Sequence, residues 1–242
     1  MAQQHPGGHH LTAGVFLVST PTPRQTQSCG LCGASRGDAF RVGVRRYWQC
    51  THCELIALDP AFYLSAEAEY AEYCKHHNDP QDPGYRRFLE PAFNAFTQAC
   101  PRPAQVLDYG CGPGPALAQM LSRAAYEVAI YDPMFAPEAG VLRQSYAGIT
   151  CTEVAEHWHK PAAELRRLWS MLRAGGVLLI QTQPLLSRAR FAQWQYRNDP
   201  THVHFYAHRS FAVWAQQHHA ALHFPTPAIA LLRKTPHEPA QE

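Results

Sequence analysis

The sequence predicts an α/β protein in which a doubly wound sheet follows a small cysteine-rich module. From residue 104 onward, short apolar strands alternate with amphipathic helical stretches, as in a sheet covered by helices on both faces. One of these strands runs into a glycine-rich turn at residues 108–114. Two C-x-x-C pairs lie ahead of the alternating region, at residues 29–32 and 50–53.

The strand, turn and helix at residues 106–121 form the most informative stretch of the chain. Asp108 ends the apolar strand, and Pro115 suits the first turn of the helix that follows. Between them, Gly110, Gly112 and Gly114 permit positive φ angles and a close approach of the backbone to a ligand. Main-chain amides at a helix N-terminus, beside a carboxylate, suit a ligand that carries both a carboxylate and an ammonium group.

A dinucleotide is the competing ligand, since its fingerprint is G-x-G-x-x-G with an acid about 20 residues later. Here the glycines are spaced G-x-G-x-G around Pro113, and Asp108 just before them would repel a pyrophosphate. A second strand, residues 126–132, ends in Asp132, which is well placed to accept hydrogen bonds from a ribose diol. Further strands are predicted at residues 149–153, 175–182 and 228–234.

With these pieces in this order, residues 104–234 resemble a class I S-adenosylmethionine (SAM) dependent methyltransferase, whose sheet is Rossmann-like. The resemblance implies SAM as the methyl donor, with Asp108 and the glycine loop near its methionine moiety and Asp132 at its ribose. The cofactor-binding residues implied in this way are Asp108, Tyr109, Gly110, Cys111, Gly112, Gly114, Asp132 and Thr152.

The chain departs from the family pattern between Asp132 and Ile149, which are only 17 positions apart. We therefore expect the third strand of the family and its helix to be shortened. The acid that often contacts adenine has no clear counterpart, because residues 146–148 read Tyr-Ala-Gly. No residue is therefore assigned to the adenine.

The two C-x-x-C pairs match the zinc-ribbon pattern, with 17 residues between the pairs. Residues 40–48 between them are predicted to form a hairpin. We expect Cys29, Cys32, Cys50 and Cys53 to bind a structural Zn²⁺, which would hold together a segment too small to fold on its core alone. A redox-active pair is the alternative, although such a pair would lie near a βαβ unit. The other cysteines are expected to be ordinary small buried residues; they are Cys74, Cys100, Cys111 and Cys151.

Five segments are predicted along the chain. They are a disordered leader at 1–26, the zinc ribbon at 27–59, a helical connector at 60–103, the methyltransferase domain at 104–236 and a tail at 237–242. The connector has helical patterns on either side of a break that begins at His76-His77-Asn78. A functional interpretation places this His-Asn turn and Tyr85 over the SAM pocket, and simple packing is the alternative.

The run Glu153-Val-Ala-Glu156-His157 follows a predicted strand and carries the candidate acceptor-side groups. On a helical turn these two carboxylates and the imidazole share one face and can bind a divalent cation. The run resembles the E-x-x-E-H turn of the ubiquinone-pathway O-methyltransferases and of the small-RNA 3′-terminal 2′-O-methyltransferases. The latter resemblance implies Mg²⁺ or a related divalent cation, completed by a later histidine, which is His202 or, as second choice, His204.

These groups predict a mechanism for an acceptor hydroxyl. A bound cation lowers the pKa of the hydroxyl, and His202 or His157, with His204 as second choice, accepts the proton before the oxygen attacks the SAM methyl group. The alternative is that Glu153 and His157 only hydrogen-bond the loop backbone, without a metal.

Residues 184–199 interrupt the fold where methyltransferases usually build the acceptor pocket. This segment contains three aromatic side chains, Phe191, Trp194 and Tyr196. They either line a site for a flat substrate or cover the edge of the sheet.

The composition fits a cytoplasmic enzyme. The net charge is only +2, no apolar run approaches the length that spans a bilayer, and the leader lacks the basic start of a signal peptide. We expect a SAM-dependent methyltransferase that acts on a hydroxyl of a small or aromatic metabolite. The expected partner is a small molecule and not a membrane, and the oligomeric state is left open.

RNA methylation is the alternative function. A four-cysteine module ahead of a methyltransferase core also resembles the bacterial rRNA guanine-N1 methyltransferases, in which the zinc module helps to read RNA. Arg41, Arg45, Arg46, Tyr47 and Trp48 would suit phosphate contact and base stacking. The modest net charge stands against RNA. A catalytically inactive SAM-binding or interaction protein is a third class, which the intact glycine loop disfavours.

Overall fold

The computed structural model describes residues 28–75 and 78–235, which form two β-sheets with helices packed against the larger one. The predicted leader and tail, and the two histidines of the His-Asn turn, His76 and His77, lie outside the described residues. Among the described helices, none is long and apolar enough to cross a membrane.

The cysteine-rich module forms three antiparallel strands, β1 (Gly37–Val42), β2 (Arg45–Cys50) and β3 (Ile56–Leu58). β1 and β2 make the predicted hairpin, in which Phe40 lies opposite Tyr47. Gly43 in the turn has a φ of +58°, the left-handed conformation that tight hairpin turns require.

Two helices form the connector, α1 (Ala66–Tyr73) and α2 (Pro83–Ala99). Asp82 caps α2 by accepting hydrogen bonds from two amides of its first turn. α2 buries Leu89 and Phe96, whereas α1 buries none of its residues. α2 is therefore part of the core, and α1 lies on the outside of the molecule.

The remaining chain builds the larger sheet. In chain order its elements are β4 (Gln105–Tyr109), α3 (Ala116–Arg123), β5 (Glu127–Tyr131), β6 (Tyr146–Thr152), α4 (Pro161–Met171), β7 (Leu172–Gln181), α5 (Arg188–Phe191), β8 (His204–Phe205), α6 (His208–Gln217), β9 (Ala220–Thr226) and β10 (Ile229–Lys234). The sheet order is β5-β4-β6-β7-β10-β9. β5, β4, β6 and β7 are parallel, and β10 is antiparallel to both of its neighbours.

The predicted α/β class is confirmed, because helices cover both faces of this sheet. Residues of α2 and α3 pack in one apolar cluster, and residues of α4 and α6 pack in another. The sheet is mixed, since its last two strands run antiparallel to their neighbours.

Two features of the sheet correct the prediction. Between β5 and β6 the described chain forms a 3-10 turn at Val141–Arg143 and no strand, so the third strand is absent and not merely shortened. β9 was not predicted, and Pro225 lies within it. β9 is the edge strand, where a missing main-chain donor is tolerated.

The register brings the carboxyl ends of three strands together. Asp108 of β4 lies opposite Ile130 of β5 and Thr150 of β6. The chain leaves β4 toward β5 on one side and returns as β6 on the other. Such a switch point is where open α/β sheets bind their ligands.

β8 joins the small sheet, whose order is β1-β2-β3-β8. Segments from the predicted ribbon and from the predicted methyltransferase domain therefore share a sheet. They also share a core, since Cys29 and Trp48 pack in one cluster with Leu165 and Trp214. The predicted domain boundaries stay predictions, but the ribbon is built into the body of the protein.

Candidate active site

A cavity of about 720 Å³ opens at the carboxyl ends of β4, β5 and β6. The glycine loop and the segments that follow β5 and β6 line one side of it. On the connector side, the cavity is lined by Tyr73 of α1, by Asn78, which precedes α2, and by Tyr85 of α2. Burial raises the pKa of Tyr85 to about 12, so its phenol remains a neutral hydrogen-bond donor. This placement fits the predicted covering role of Asn78 and Tyr85.

The glycine loop takes a conformation that side chains would block. Gly110 and Gly112 have φ angles of +75° and +61°. A Cβ atom on Gly110 would overlap the side chain of Val154, and one on Gly114 would overlap the carbonyl oxygen of Asn78. The loop is therefore enclosed between the segment after β6 and the connector.

Replacing Gly114 by alanine is expected to weaken SAM binding and to lower the free energy of unfolding by about 1–3 kcal/mol, because the new methyl group displaces the Asn78 backbone. Calorimetry with SAM and thermal unfolding measure the two effects. Gly140→Ala is the matched control, since Gly140 has an ordinary φ of −60° and its Cβ would meet only a glutamate side chain. Unchanged affinity in Gly114→Ala would contradict this role of the loop.

Asp108 is a buried carboxylate in the cavity wall. It is 3% exposed, and its Oδ1 accepts a hydrogen bond of 2.8 Å from the Thr150 hydroxyl. Burial raises its pKa to about 6, with only partial compensation from that hydrogen bond. A ligand ammonium beside this carboxylate would stabilise its charged form.

Asp132 ties the loop after β5 to the glycine loop. Its Oδ1 accepts hydrogen bonds from the amides of Met134 and Phe135, and its Oδ2 accepts one of 3.0 Å from the amide of Gly112. The carboxylate still lines the cavity. It therefore fixes the shape of this corner in addition to offering acceptors to a ribose.

A cluster of ionisable side chains also lines the cavity. Glu156, His157 and His202 each place one possible ligand atom so that all three lie within 4.8 Å of one another. All three side chains line the same cavity as the glycine loop. Glu156 is fully buried, which raises the pKa of its carboxyl.

Hydrogen bonds orient the three members of this cluster. His202 Nδ1 lies 2.7 Å from the carbonyl oxygen of Tyr196, and His157 Nδ1 lies 3.2 Å from that of Thr201. Since a carbonyl only accepts, each Nδ1 carries a proton, and in a neutral ring Nε2 then carries the lone pair. Glu156 Oε1 accepts a hydrogen bond of 2.5 Å from the Tyr196 hydroxyl, and its buried Oε2 has no hydrogen-bond partner.

Glu153 lies outside this cluster, which corrects the predicted shared face. The helical turn is a 3-10 turn at Ala155–His157, and Glu153 precedes it with a φ of +53°. Its carboxylate is 3.5 Å from the Tyr196 hydroxyl. Burial, followed by the neighbouring Glu156, raises its pKa to about 8.

The sequence profile of the methyltransferase domain matches residues 76–222, which is more than half of the chain. The chain belongs to the methyltransferase-domain family. It is a SAM-dependent methyltransferase, as the sequence predicts, and SAM is its methyl donor. No curated protein sequence matches it.

Several solved structures resemble this methyltransferase in fold. The 1,6-didemethyltoxoflavin-N1-methyltransferase of Burkholderia thailandensis, with its substrate and S-adenosylhomocysteine bound, is 18% identical, with 82% of this chain and 99% of that chain covered and a TM-score of 0.48. An O-methyltransferase family protein of the same organism is 15% identical, with 74% and 64% covered and a TM-score of 0.50. The magnesium protoporphyrin IX methyltransferase of Synechocystis PCC 6803 is 13% identical, with 69% and 94% covered and a TM-score of 0.48.

His204, the second-choice histidine, does not line the cavity of the methyltransferase. It is 4% exposed in β8, and its Nδ1 lies 2.7 Å from the carbonyl oxygen of Trp158. Burial lowers its pKa to about 4. The structure therefore gives no support to the predicted catalytic role of His204.

The aromatic segment packs against the small sheet and does not line the cavity. Phe191 is fully buried and contacts Tyr47 and Phe205 edge to face. Trp194 stacks on Tyr196, whose hydroxyl reaches Glu156. Of the two predicted roles for this segment, the structural one fits, and Tyr196 also supports the acceptor-side cluster.

Sequence reasoning missed three residues that line the cavity, Tyr131, Glu164 and Arg167. Tyr109 stacks on Tyr131 at 5.3 Å, and its hydroxyl donates a hydrogen bond of 2.7 Å to Glu164 of α4. Arg167 of α4 pairs with the same carboxylate at 3.4 Å. The i, i+3 spacing of Glu164 and Arg167 was the available signal. Two other predicted cofactor residues, Cys111 and Thr152, line the cavity as well.

The four predicted zinc ligands come together. The Sγ atoms of Cys29 and Cys53 are 3.6 Å apart, and those of Cys32 and Cys50 are 3.7 Å apart. A tetrahedral zinc site with Zn–S bonds of about 2.3 Å has S···S separations of about 3.8 Å. These distances are far longer than a disulfide bond. Cys74 is exposed, which corrects its predicted burial.

The two aromatic residues suggested for base stacking, Tyr47 and Trp48, are buried. Tyr47 is 2% exposed and Trp48 is 9% exposed, and both pack in the core. Arg46 forms an ion pair of 2.7 Å with Asp59, and Arg45 donates a hydrogen bond to the carbonyl oxygen of Arg197. Four of the five residues suggested for RNA contact thus have roles within the fold.

Proposed function

We propose that this methyltransferase transfers the methyl group of SAM to a hydroxyl of a small-molecule acceptor. The observation that carries the proposal is the meeting of Glu156, His157 and His202 in the wall of the cavity that also contains the glycine loop. A hydroxyl placed there lies beside groups that can accept its proton. The buried stacking candidates of the ribbon disfavour the RNA alternative.

The SAM-binding side follows from the loop geometry. The main-chain amides of the glycine loop would hold the carboxylate of the methionine moiety, and Asp108 would pair with its ammonium group. Asp132 would accept hydrogen bonds from the ribose. Tyr109 and Glu164 would contact the adenine, because they line the same cavity and Tyr109 stacks on Tyr131.

The residues of the acceptor-side cluster fit a divalent cation. Glu156 Oε2 is a buried carboxylate oxygen without a hydrogen-bond partner, and a cation would satisfy it. His157 and His202 donate their Nδ1 protons to carbonyl groups, the arrangement that usually orients metal-binding histidines. A mixed set of one carboxylate and two imidazoles suits a transition metal or Zn²⁺ better than Mg²⁺. When bound, the cation would lower the pKa of the acceptor hydroxyl.

The reaction then balances in a single displacement. The acceptor oxygen forms a bond to the SAM methyl carbon as the carbon–sulfur bond breaks, and S-adenosylhomocysteine leaves. Without a bound cation, the hydroxyl proton goes to Nε2 of His202. If that nitrogen held a cation, the cation would lower the pKa of the hydroxyl and its proton would pass to solvent. Burial lowers the pKa of His202, so this imidazole is neutral and ready to accept a proton at neutral pH.

Product labelling tests the proposal. The purified protein is incubated with radiolabelled SAM and a deproteinised extract of its source cells, with and without EDTA, and the products are separated into RNA and small-molecule fractions. We expect label in the small-molecule fraction, and sensitivity to EDTA if the cluster binds a cation. Label that disappears after RNase treatment would overturn the proposal in favour of RNA methylation.

We also propose that Cys29, Cys32, Cys50 and Cys53 bind a structural zinc ion, on the basis of their S···S distances. Cys50→Ser is then expected to reduce bound zinc from about one ion per chain and to lower the midpoint of thermal unfolding. Elemental analysis measures the zinc, and Cys74→Ser is the matched control because Cys74 is exposed and outside the cluster. Wild-type protein without zinc, or unchanged zinc content in Cys50→Ser, contradicts this assignment.

A further inference from the structure

The small sheet and the acceptor-side cluster share one stretch of chain, residues 199–206, which we call the bridging segment. Its strand β8 pairs with β3, so that Ile56 lies opposite Phe205 and Ala57 lies opposite His204. The amide of Leu58 donates a hydrogen bond of 2.8 Å to the carbonyl oxygen of Val203. The bridging segment is thus the last strand of the cysteine-rich module as well as part of the methyltransferase core.

The bridging segment also sets the geometry of the cluster. The amide of Val203 donates a hydrogen bond of 2.9 Å to the carbonyl oxygen of Glu156. The carbonyl oxygen of Thr201 accepts the Nδ1 proton of His157, and His202 belongs to the segment itself. A shift of this segment would therefore move all three members of the cluster relative to one another.

The cysteine cluster fixes the start of β3, the strand that pairs with the bridging segment. The second C-x-x-C pair leads directly into β3, and the amide of Cys50 donates a hydrogen bond of 2.9 Å to the carbonyl oxygen of Leu55. Ser210 of α6 donates a hydrogen bond of 2.9 Å to the carbonyl oxygen of Cys53, and Gln217 of α6 donates one of 3.0 Å to that of Cys32. Both cysteine pairs are therefore fixed against the helix that follows the bridging segment.

The SAM-binding side is held by different contacts. The amide of Gly110 donates a hydrogen bond of 2.7 Å to the carbonyl oxygen of Tyr131, and the amide of Gly112 donates to Asp132. Gly114 packs on the backbone of Asn78. With Val154 beside Gly110 and the Thr150 hydroxyl hydrogen-bonded to Asp108, these contacts involve residues 78–154 and none from the cysteine-rich module or the bridging segment.

We propose that the zinc-bound cysteine cluster is a positioning element for methyl transfer: through β3 it holds the bridging segment in register and so places His157 and His202 at the acceptor. The inference rests on the proposed role of this histidine pair. It gives the cysteine-rich module a function inside the active site, in place of RNA reading or stability alone.

Three variants separate positioning from general stability. Cys32→Ser removes one zinc ligand at a half-buried position, Cys32→His retains a ligand of a different type, and Cys74→Ser is the control outside the cluster. For each variant we would measure zinc content, SAM affinity by calorimetry, methyl transfer, and hydrogen exchange at the amides of Leu58 and Val203 and at residues 106–117.

In Cys32→Ser we expect zinc loss, faster exchange at Leu58 and Val203, unchanged exchange at residues 106–117 and unchanged SAM affinity. Methyl transfer should fall about 100-fold, the scale expected when reacting groups are misplaced by about an ångström. Cys32→His should restore both zinc and transfer. Zinc loss that leaves exchange at Val203 and transfer unchanged would overturn the inference, as would equal loss of SAM binding and transfer.

If Cys32→Ser does not fold, stepwise zinc removal from the wild-type protein with an organomercurial gives the same exchange comparison. The failure of the proposed function is separable from the failure of this inference. Exchange at Val203 that follows zinc content, together with full transfer by His202→Ala, would refute the role of His202 and leave the positioning of the segment intact.

Discussion

Replacing His202 by alanine is expected to slow methyl transfer by about 100-fold or more, while SAM binds as tightly as in the wild type. The imidazole is the proposed acceptor of the hydroxyl proton, and the variant removes it. SAM affinity should persist because the proposed SAM-binding groups, Asp108 and the glycine loop, do not include His202. Single-turnover transfer assays and calorimetry with SAM measure the two quantities separately.

The companion variant is Glu156→Gln, which keeps the shape of the side chain and removes its charge. If the cluster binds a divalent cation, this variant loses both cation binding, measured by calorimetry, and the sensitivity of the residual activity to EDTA. His223→Ala is the matched control, since His223 is exposed on the edge strand β9. Full, chelator-insensitive activity in both Glu156→Gln and His202→Ala would refute the proposed site. Inactivity of His202→Ala without any effect of EDTA would identify a base that acts without a metal.

The SAM-binding half of the site was predictable because its signals are local. Asp108, the three glycines and Pro115 lie within eight consecutive residues, and each has its meaning from backbone conformation alone. Asp132 follows from the end of the next strand in the same way. The clustering of the four cysteines could be predicted equally well, since metal ligation needs a fixed spacing within each pair.

The acceptor side depends on contacts between distant residues, and there sequence reasoning was only partly successful. His202 and His204 are two residues apart, so in a regular extended segment both would point to the same face, and alternation alone could not separate them. Only the pairing of β8 with β3 decides which of them reaches the cavity and which is buried near Trp158. A strand of two residues has too weak a pattern to reveal its partner. Glu153 was misplaced because a 3-10 turn replaced the expected helical turn.

The missing third strand leaves the adenine without the acid expected from the resemblance. Between β5 and β6 this chain has a segment with a 3-10 turn at Val141–Arg143, and Tyr109, Tyr131 and the α4 pair of Glu164 and Arg167 line the cavity. The stacked tyrosines provide an aromatic wall, and Glu164 provides a carboxylate that could accept from the adenine amino group. The absence of the third strand is thus compatible with adenine binding by residues of β4, β5 and α4. The spacing of the motifs gave no sign of this alternative.

SAM affinity is expected to be constant above a pH of about 6 and to fall by up to about tenfold per pH unit below it. The cause is Asp108, whose pKa burial raises to about 6 in the free protein. The ammonium group of SAM would favour the ionised carboxylate, so the pKa in the complex is lower than in the free protein. Binding therefore releases a proton at low pH, and calorimetry between about pH 8 and about pH 5 measures the loss of affinity.

The pH dependence of SAM affinity has the opposite sign to the pH dependence that Asp108 gives to the stability of the free protein. Because burial raises the pKa of Asp108, its ionisation costs folding free energy as pH rises through about 6, whereas SAM binding gains over the same range. His157 and His202 also line the cavity, so the pH profile alone does not identify the titrating group. The variant Asp108→Asn identifies the titrating group, because it keeps the shape of the side chain and removes its charge. It should weaken SAM binding by about 1.5–3 kcal/mol at neutral pH and should make the affinity independent of pH over this range. Asp38→Asn, at an exposed carboxylate in β1, should retain the wild-type profile. A pH dependence that persists in Asp108→Asn would assign the titration to the histidines and remove Asp108 as the partner of the ammonium group.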